Sequence, residues 1–376
     1  MNICIDLTSL ADNFSGIERY ALSMTEELIK DEDNNFILVF KNEVFKSFVH
    51  CSYPNIKKLV IKGSNKLLFN QIKIPFVFRK IKADVFLFLA FPAPFFFSGK
   101  RTISMIPDLG MWDCPQTNKK RMVIYFKTMY KRASRGNKRI ITISDFTKER
   151  IIDILHVKKE NIIVAYCGLS NVFKNYSYDK SKDDFVKNKY KLPEKYLLCL
   201  STVEPRKNMS LLIRAYIDLF EENRIDADLV LTGRKGWLVD EMYNNIPSNI
   251  QPHIHFTGFI EDDHLPYIYK NSCLFVFPSI YEGFGIPPIE AMSCGTMVIC
   301  SDAASLPEVC GDAVLYFKSN DLEDLKNTII KSLSMEQDEI EELKVRAKIL
   351  ANSYNWMTEA MKIKKLVDDQ ANVFKN

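Results

Sequence analysis

At 376 residues the chain is long for one domain and reads as two, since domains run to roughly 100–200 residues each. Apolar residues at 47% and charged residues at 26% give the balance of a soluble globular protein, and a net charge of +4 is too small to imply nucleic acid or another polyanion. The N-terminal MNICIDLTSL lacks the basic stretch and long apolar core of a secretory signal. The apolar run VFLFLAFPAPFFFSG carries two internal prolines and falls short of the about 20 residues a spanning helix needs. Nine cysteines form no CxxC pair, and several sit in strand-like apolar runs, which fits a reducing cytoplasm.

Strand and helix patterns alternate along the chain. NICIDL reads as a strand, and GIERYALSMTEELIK has a helical apolar period at Ile17, Tyr20, Ala21, Met24 and Leu28. FILVF, DVFLFLA, RTISMI, RIITIS and NIIVAY follow as strands, and SDFTKERIIDIL starts a helix capped by Ser144 or Asp145. Residues 174–195 are polar and charged and read as a linker region holding a short helix.

A second series then begins. YLLCLST, ADLVLTG, HIHFTGF, CLFVFPS, TMVICSD and AVLYF read as strands, with helices over NMSLLIRAYIDLF, LPYIYKNS and PPIEAMSCG. The final YNWMTEAMKIKKLVDDQ reads as one amphipathic helix. Two βα series predict two Rossmann-like, doubly wound parallel-sheet domains, which bind ligands beyond the carboxyl ends of their strands, most simply in a cleft between the domains. The expected boundaries are 1–178, 179–352 and a C-terminal helix, 353–376, packing back on the first domain.

YEGFGIPPIEAMSCG, residues 281–295, is the most informative stretch. It follows a buried-strand pattern, so Ser279 to Gly285 forms a loop at the strand's carboxyl end. Gly283 and Gly285 permit close backbone approach or positive φ. Pro287 and Pro288 suit a helix start, where a missing N–H costs nothing, and place Glu290 in the first turn. A helix N-terminus at a strand end suits a diphosphate. Glu282, on a flexible loop, would reach a sugar, and Glu290, on the helix, would accept from vicinal hydroxyls such as those of a ribose.

The stretch resembles the E-x7-E motif of retaining GT-B glycosyltransferases of family 4. LSTVEPRKNMSLLIRAY, LVLTGRKGW, FTGFIEDDHLPYIYKNSCLFVFPS, SDAASLPEVCGDAVLYF and SGIERYALSM resemble further segments of that family in order, and the EPRKN form is nearest a mannosyltransferase-like branch that builds bacterial surface polysaccharide. The resemblance implies a GT-B fold with its two domains facing a central cleft. It implies diphosphate binding by Arg206, Lys207, Gly16 and Ile286. Nucleotide contacts fall to Glu290, Phe259, Ile260 and Gly233, and donor-sugar contacts to Glu282, Gly283, Phe284 and Gly285. Glu282 and Asp108 carry the catalytic expectation. Pro107 stands where many relatives carry His, Ser15-Gly16 replaces paired glycines, Ser201-Thr202 replaces Gly-Arg, and Cys167 replaces Asn.

The implied donor is GDP- or UDP-linked, GDP-mannose first, with no metal or other cofactor. The implied acceptor is a glycan or a polyprenyl-diphosphate-linked oligosaccharide. A catalytically silent sugar-nucleotide-binding protein is the alternative. A Rossmann oxidoreductase ranks lower, because no G-x-G-x-x-G follows a strand. Asp226-Ala227-Asp228 precedes its strand and Asp31-Glu32-Asp33 reads as a polar turn, so both are expected to be solvated rather than metal-binding. His253 and His255 share a strand face with no third ligand near in sequence. Between Cys114 and Ser144 lie nine Lys or Arg and no acid. Met122, Tyr125, Phe126 and Met129 fall on one helical face there, and Lys127, Lys131 and Arg135 on another. This pattern implies peripheral contact with the anionic inner face of the cytoplasmic membrane.

Overall fold

The computed structural model describes residues 1–11, 16–64, 68–97, 101–136, 138–202, 204–233 and 246–373, with side chains through 370. Ser15 and the residues after Gly233 in the LVLTGRKGW turn lie outside the described residues. The chain divides into two compact units, Met1–Gly168 with Asn355–Asn376, and Leu169–Tyr354.

The first unit is built on a seven-stranded sheet in the order β3-β2-β1-β4-β5-β6-β7. The strands are β1 (Asn2–Asp6), β2 (Asn35–Lys41), β3 (Ile56–Ile61), β4 (Val85–Phe88), β5 (Thr102–Met105), β6 (Arg139–Thr142) and β7 (Ile162–Val164), and all paired strands are parallel. β4 and β5 are buried at every position, as expected of strands covered on both faces. The edge strand β3 was not legible in the sequence, because its lysines interrupt the apolar run. The helix Asp145–Leu155 is capped by Ser144, whose hydroxyl accepts from the Thr147 N–H at 3.1 Å. The helix Trp356–Val373 packs on Gly16–Leu28, where Trp356 meets Tyr20 edge-on at 5.5 Å and Glu359 accepts from the Tyr166 N–H at 2.9 Å.

The second unit has six parallel strands in the order β10-β9-β8-β11-β12-β13. These are β8 (Tyr196–Leu200), β9 (Asp228–Thr232), β10 (Ile254–Gly258), β11 (Leu274–Phe277), β12 (Val298–Ser301) and β13 (Leu315–Phe317). Residues 174–195 are not a linker. They hold the helix Lys180–Tyr190, which belongs to this unit. Its buried Asp183 accepts from Tyr178 and Asn271 and pairs with Lys187, so a stretch that is polar in sequence folds around an internal polar network. The boundary accordingly falls at 168/169 rather than 178/179, where the Leu169 N–H donates to the Tyr354 carbonyl at 3.0 Å and Phe173 packs against Tyr269.

In each sheet the strand order reverses once, between β1 and β4 in the first and between β8 and β11 in the second. The crevice beyond the carboxyl ends at such a reversal is where open α/β sheets bind ligands. None of the described helices is long and apolar enough to cross a membrane.

Candidate active site

In the second unit the chain after β8 and the chain after β11 meet at the reversal. Pro205–Lys207 forms one short turn there, and the Arg206 carbonyl accepts from the Ile280 N–H at 2.9 Å. Arg206 donates to the Tyr281 carbonyl at 2.9 Å and to Glu282 Oε2 at 3.1 Å, with Glu204 at 3.0 Å on its other side. Lys207 Nζ lies 2.6 Å from Glu282 Oε1 and 5.5 Å from the centre of the Phe277 ring. Three residues named from sequence, 75 and 76 positions apart, are thus brought together.

Glu282 is 6% exposed. Burial pushes its carboxyl up, but Lys207 and Arg206 outweigh burial and hold it below the ordinary glutamate value. Its loop, read as flexible in the sequence, is tied to neighbouring hydroxyls and packed. Ser305 Oγ bonds the carbonyls of Glu282 (2.9 Å) and Phe284 (3.2 Å), Ser301 bonds the Ser279 carbonyl, and Tyr281 and Phe284 are buried. Backbone carbonyls that an isolated loop would give to water are here given to neighbouring hydroxyls.

The helix after the loop is Ile286–Ser293, with Gly285 as its N-cap at φ +103°. A Cβ at Gly285 would stand 2.6 Å from Leu306 Cδ2, so glycine is required twice over. Glu290 is the fifth helical residue, one beyond the first turn, because the helix begins at Ile286 rather than at the prolines. Pro287 and Pro288 remove two of the four unbonded N–H groups of the helix start and leave Gly285 and Ile286 to donate. Glu290 is buried and accepts from the Tyr269 hydroxyl at 3.0 Å. Burial, reinforced by Glu290, pushes the Tyr269 phenol far above its ordinary value, so it stays a donor. Tyr269 was not singled out from sequence, since nothing in the spacing of 269 and 290 marks it.

Gly233 ends β9 with φ +136°, and a Cβ there would fall 2.0 Å from the Ser201 carbonyl oxygen. Its N–H donates to the Gly258 carbonyl at 2.9 Å, and the Ser201 N–H donates to the Thr232 carbonyl at 3.0 Å, which together tie the ends of β8, β9 and β10. The adjacent Thr232 hydroxyl is buried with no hydrogen-bond partner among the described residues. Phe259, beyond β10, is exposed, whereas Ile260 is buried.

Asp108 and Gly16 lie in the first unit. Gly16 opens its helix after β1. Asp108 follows β5, is half-buried, and accepts from the Gly110 N–H at 2.9 Å. A cavity of about 690 Å³, not foreseen from sequence, occupies the reversal between β1 and β4. Its walls include Asp6, Glu18, Gln71, Phe91, Tyr125 and Phe126. Burial raises the Asp6 carboxyl, partly offset by hydrogen bonds from Thr8.

The basic helix is Lys120–Ala133: Met129 and Tyr130 are buried, and Tyr125, Phe126 and Met129 line the cavity, whereas Met122, expected on the same face, and Ile124 are exposed. Lys127 sits over Trp112 at 5.3 Å. The acids expected to be solvated are also engaged. Asp228 holds His253 at 2.9 Å and His255 at 2.7 Å, the third group that sequence separation had hidden, and Asp31 pairs with Lys364 at 2.8 Å. The grouping of acids and histidine compact enough for a metal among the described residues is Glu261, Asp263 and His264, where Lys189 and Lys182 already pair with the two acids.

Two family models match the chain, Glycosyl transferases group 1 over residues 180–370 and Glycosyltransferase Family 4 over residues 14–170. O-antigen chain mannosyltransferase B of Escherichia coli is 35% identical over 236 residues, covering 62% of this chain and 61% of that protein. The serotype-specific mannosyltransferase WbdA of Escherichia coli is 32% identical over 227 residues, covering 59% of this chain and 27% of that protein. The chain thus spans less than two thirds of these relatives. Among solved structures, a sucrose-phosphate synthase from Thermosynechococcus elongatus superposes with a TM-score of 0.77 over 98% of both chains at 17% identity. That likeness, with two doubly wound parallel sheets, makes the fold GT-B. An E-x7-E helix start at the second sheet's reversal and a family model matching residues 180–370, just over half of the chain, agree: the chain belongs to the glycosyl transferases group 1 family.

Proposed function

We propose that the chain is a retaining glycosyltransferase of bacterial surface-polysaccharide assembly. It moves a hexose, mannose from GDP-mannose in the first instance, to a glycan or polyprenyl-diphosphate-linked acceptor at the inner face of the cytoplasmic membrane. The observation that carries the reading is the convergence of Arg206, Lys207 and Glu282 at the β8/β11 reversal, beside a helix start that offers two backbone N–H groups.

The chemistry follows from charge. The bond from the sugar's anomeric carbon to the donor diphosphate breaks as the bond to the acceptor oxygen forms on the same face, and the acceptor proton passes to a diphosphate oxygen. Negative charge grows on the diphosphate, where fixed cations stabilise the transition state more than the ground state. Arg206, Lys207 and the N–H groups of Gly285 and Ile286 supply that stabilisation without a metal. In this reading Glu282 orients sugar hydroxyls, Glu290 holds the ribose, and Gly233, Phe259 and Ile260 bound the base. Asp108 and the first unit's cavity serve the acceptor hydroxyl.

The test has two arms. A thermal-shift series with GDP, UDP and ADP reads binding, since ligand at 100 times its dissociation constant adds about 2.7 kcal/mol. Incubation with GDP-mannose and a lipid-linked oligosaccharide, followed by mass spectrometry, reads transfer. A gain of one hexose with the α-linkage of the donor supports the proposal. Nucleotide binding with no transfer from any GDP- or UDP-hexose refutes it in favour of a silent binding protein.

A further inference from the structure

Three acid-free stretches meet on one face of the first unit. Residues 62–82 hold six Lys or Arg, residues 114–144 hold nine, and residues 85–107 between them hold no acid either. Hydrogen bonds join them: Gln71 donates to the Tyr125 hydroxyl at 2.9 Å and accepts from the Phe95 N–H at 2.8 Å, and Arg79 donates to the Phe96 carbonyl at 2.7 Å.

The helical segment from Phe69 to Phe78 is apolar on nearly all sides, a pattern that belongs to a buried helix. Yet only its inner side is covered, by Phe69, Ile74 and Phe78 in the core. Ile72 (60% exposed) and Phe76 (59%) point outward, and so does Phe96 (59%) on the adjoining loop. Lys73 and Lys80 flank them, with Lys80 Nζ 4.2 Å above the Phe76 ring. Exposed aromatic and branched side chains flanked by cations match the surface of an anionic bilayer, where the rings enter the headgroup boundary and the cations meet lipid phosphates.

We propose that this face, built on Ile72, Phe76 and Phe96 with Lys73 and Lys80, docks the chain on an anionic lipid bilayer. The basic helix Lys120–Ala133 contributes charge, but its Tyr125, Phe126 and Met129 line the cavity. Because Gln71, Ile74 and Tyr125 also wall that cavity, lipid-docked chain and cavity share the same elements. The proposed function supplies the reason to dock, through a lipid-linked acceptor, but docking is measured without turnover.

The experiment is co-sedimentation of the full chain with vesicles of phosphatidylcholine plus phosphatidylglycerol, against phosphatidylcholine alone. Anionic vesicles should bind the wild type strongly and neutral ones weakly. F76S/F96S and, separately, K73E/K80E should each lower the partition coefficient about tenfold or more. Thermal melts and transfer to a soluble acceptor should stay as in the wild type, which separates lost docking from lost folding or lost chemistry. Equal, negligible binding to both vesicles overturns the proposal, as does undiminished binding by both variants. A wild-type dimer in sedimentation velocity that F76S/F96S dissociates, with no vesicle binding, overturns it in favour of a second copy of this chain.

Discussion

Lys207 Nζ stands 2.6 Å from Glu282 Oε1, so the cation proposed for a donor diphosphate is already neutralised by the carboxylate proposed for the donor sugar. Side-chain exposure is 14% for Lys207 and 7% for Glu282, so water screens the pair weakly. In the proposed function a diphosphate arriving here would exchange one anion for another, with Arg206 and Lys207 turning to phosphate and Glu282 released toward the sugar. Glu282→Ala removes the competitor. Nucleoside diphosphate is expected to bind about tenfold more tightly, a difference of about 1.4 kcal/mol, while hexose transfer falls by about a hundredfold or more. Calorimetry and a transfer assay on the same variant check this. Weaker nucleotide binding would show that the pair is scaffolding rather than a switch between two anions.

The same pair makes a pH-dependent contribution to stability. The Glu282 carboxyl is held below its ordinary value despite burial, so its unfolded form binds the proton more readily. Its contribution is therefore complete above the unfolded value of about 4.3 and is lost as pH falls through the lower folded value. Denaturant midpoints of wild type and Glu282→Gln are expected to differ most near neutrality and to converge in acid. A gap that stays constant from neutral pH down to pH about 3 would remove Glu282 from the acid-sensitive groups.

Gly233 has a different duty. Its φ of +136° and the 2.0 Å that would separate an added Cβ from the Ser201 oxygen leave no room for alanine. Gly233→Ala must push apart the ends of β8 and β9, and a core strain of this kind costs about 1–3 kcal/mol. The variant is expected to melt several degrees lower and to bind nucleotide more weakly, checked by calorimetry and titration. Unchanged melting would mean that the β8 end yields freely.

Much of this arrangement was legible in the sequence because parallel strands covered on both faces leave continuous apolar runs. LFVF of β11 and VICS of β12 are buried at every position, and their order with the intervening helices gave the fold class. The helix after a glycine loop was equally plain, though it begins at Ile286, one residue before the prolines. What the sequence withheld was set by neighbours in space. The hold of Arg206 and Lys207 on Glu282 depends on β8 lying beside β11. Asp183 reads as a solvated residue until Tyr178, Asn271 and Lys187 surround it. The cationic helix Lys120–Ala133 shows an apolar face in projection, and only packing reveals that Tyr125, Phe126 and Met129 of that face line a cavity while Ile72, Phe76 and Phe96 point outward elsewhere.

Tyr269 is the residue that only the structure places at the candidate site. Its hydroxyl donates to Glu290 Oε2 at 3.0 Å inside a fully buried ring cluster with Phe275 and Phe173. A hydrogen bond to a charged acceptor contributes about 1.5–3 kcal/mol, and Tyr269→Phe keeps the ring while deleting it. The loss leaves a buried carboxylate short of a donor, so stability is expected to drop by about that amount. If Glu290 also holds the ribose, it now does so from a less fixed rotamer. Nucleotide affinity should fall more for a ribonucleotide than for its 2′-deoxy analogue, narrowing the preference that wild type shows. Competition titration with GDP and 2′-deoxy-GDP reads this directly. A variant that loses stability but keeps the wild-type preference assigns Tyr269–Glu290 to the core and moves ribose recognition elsewhere.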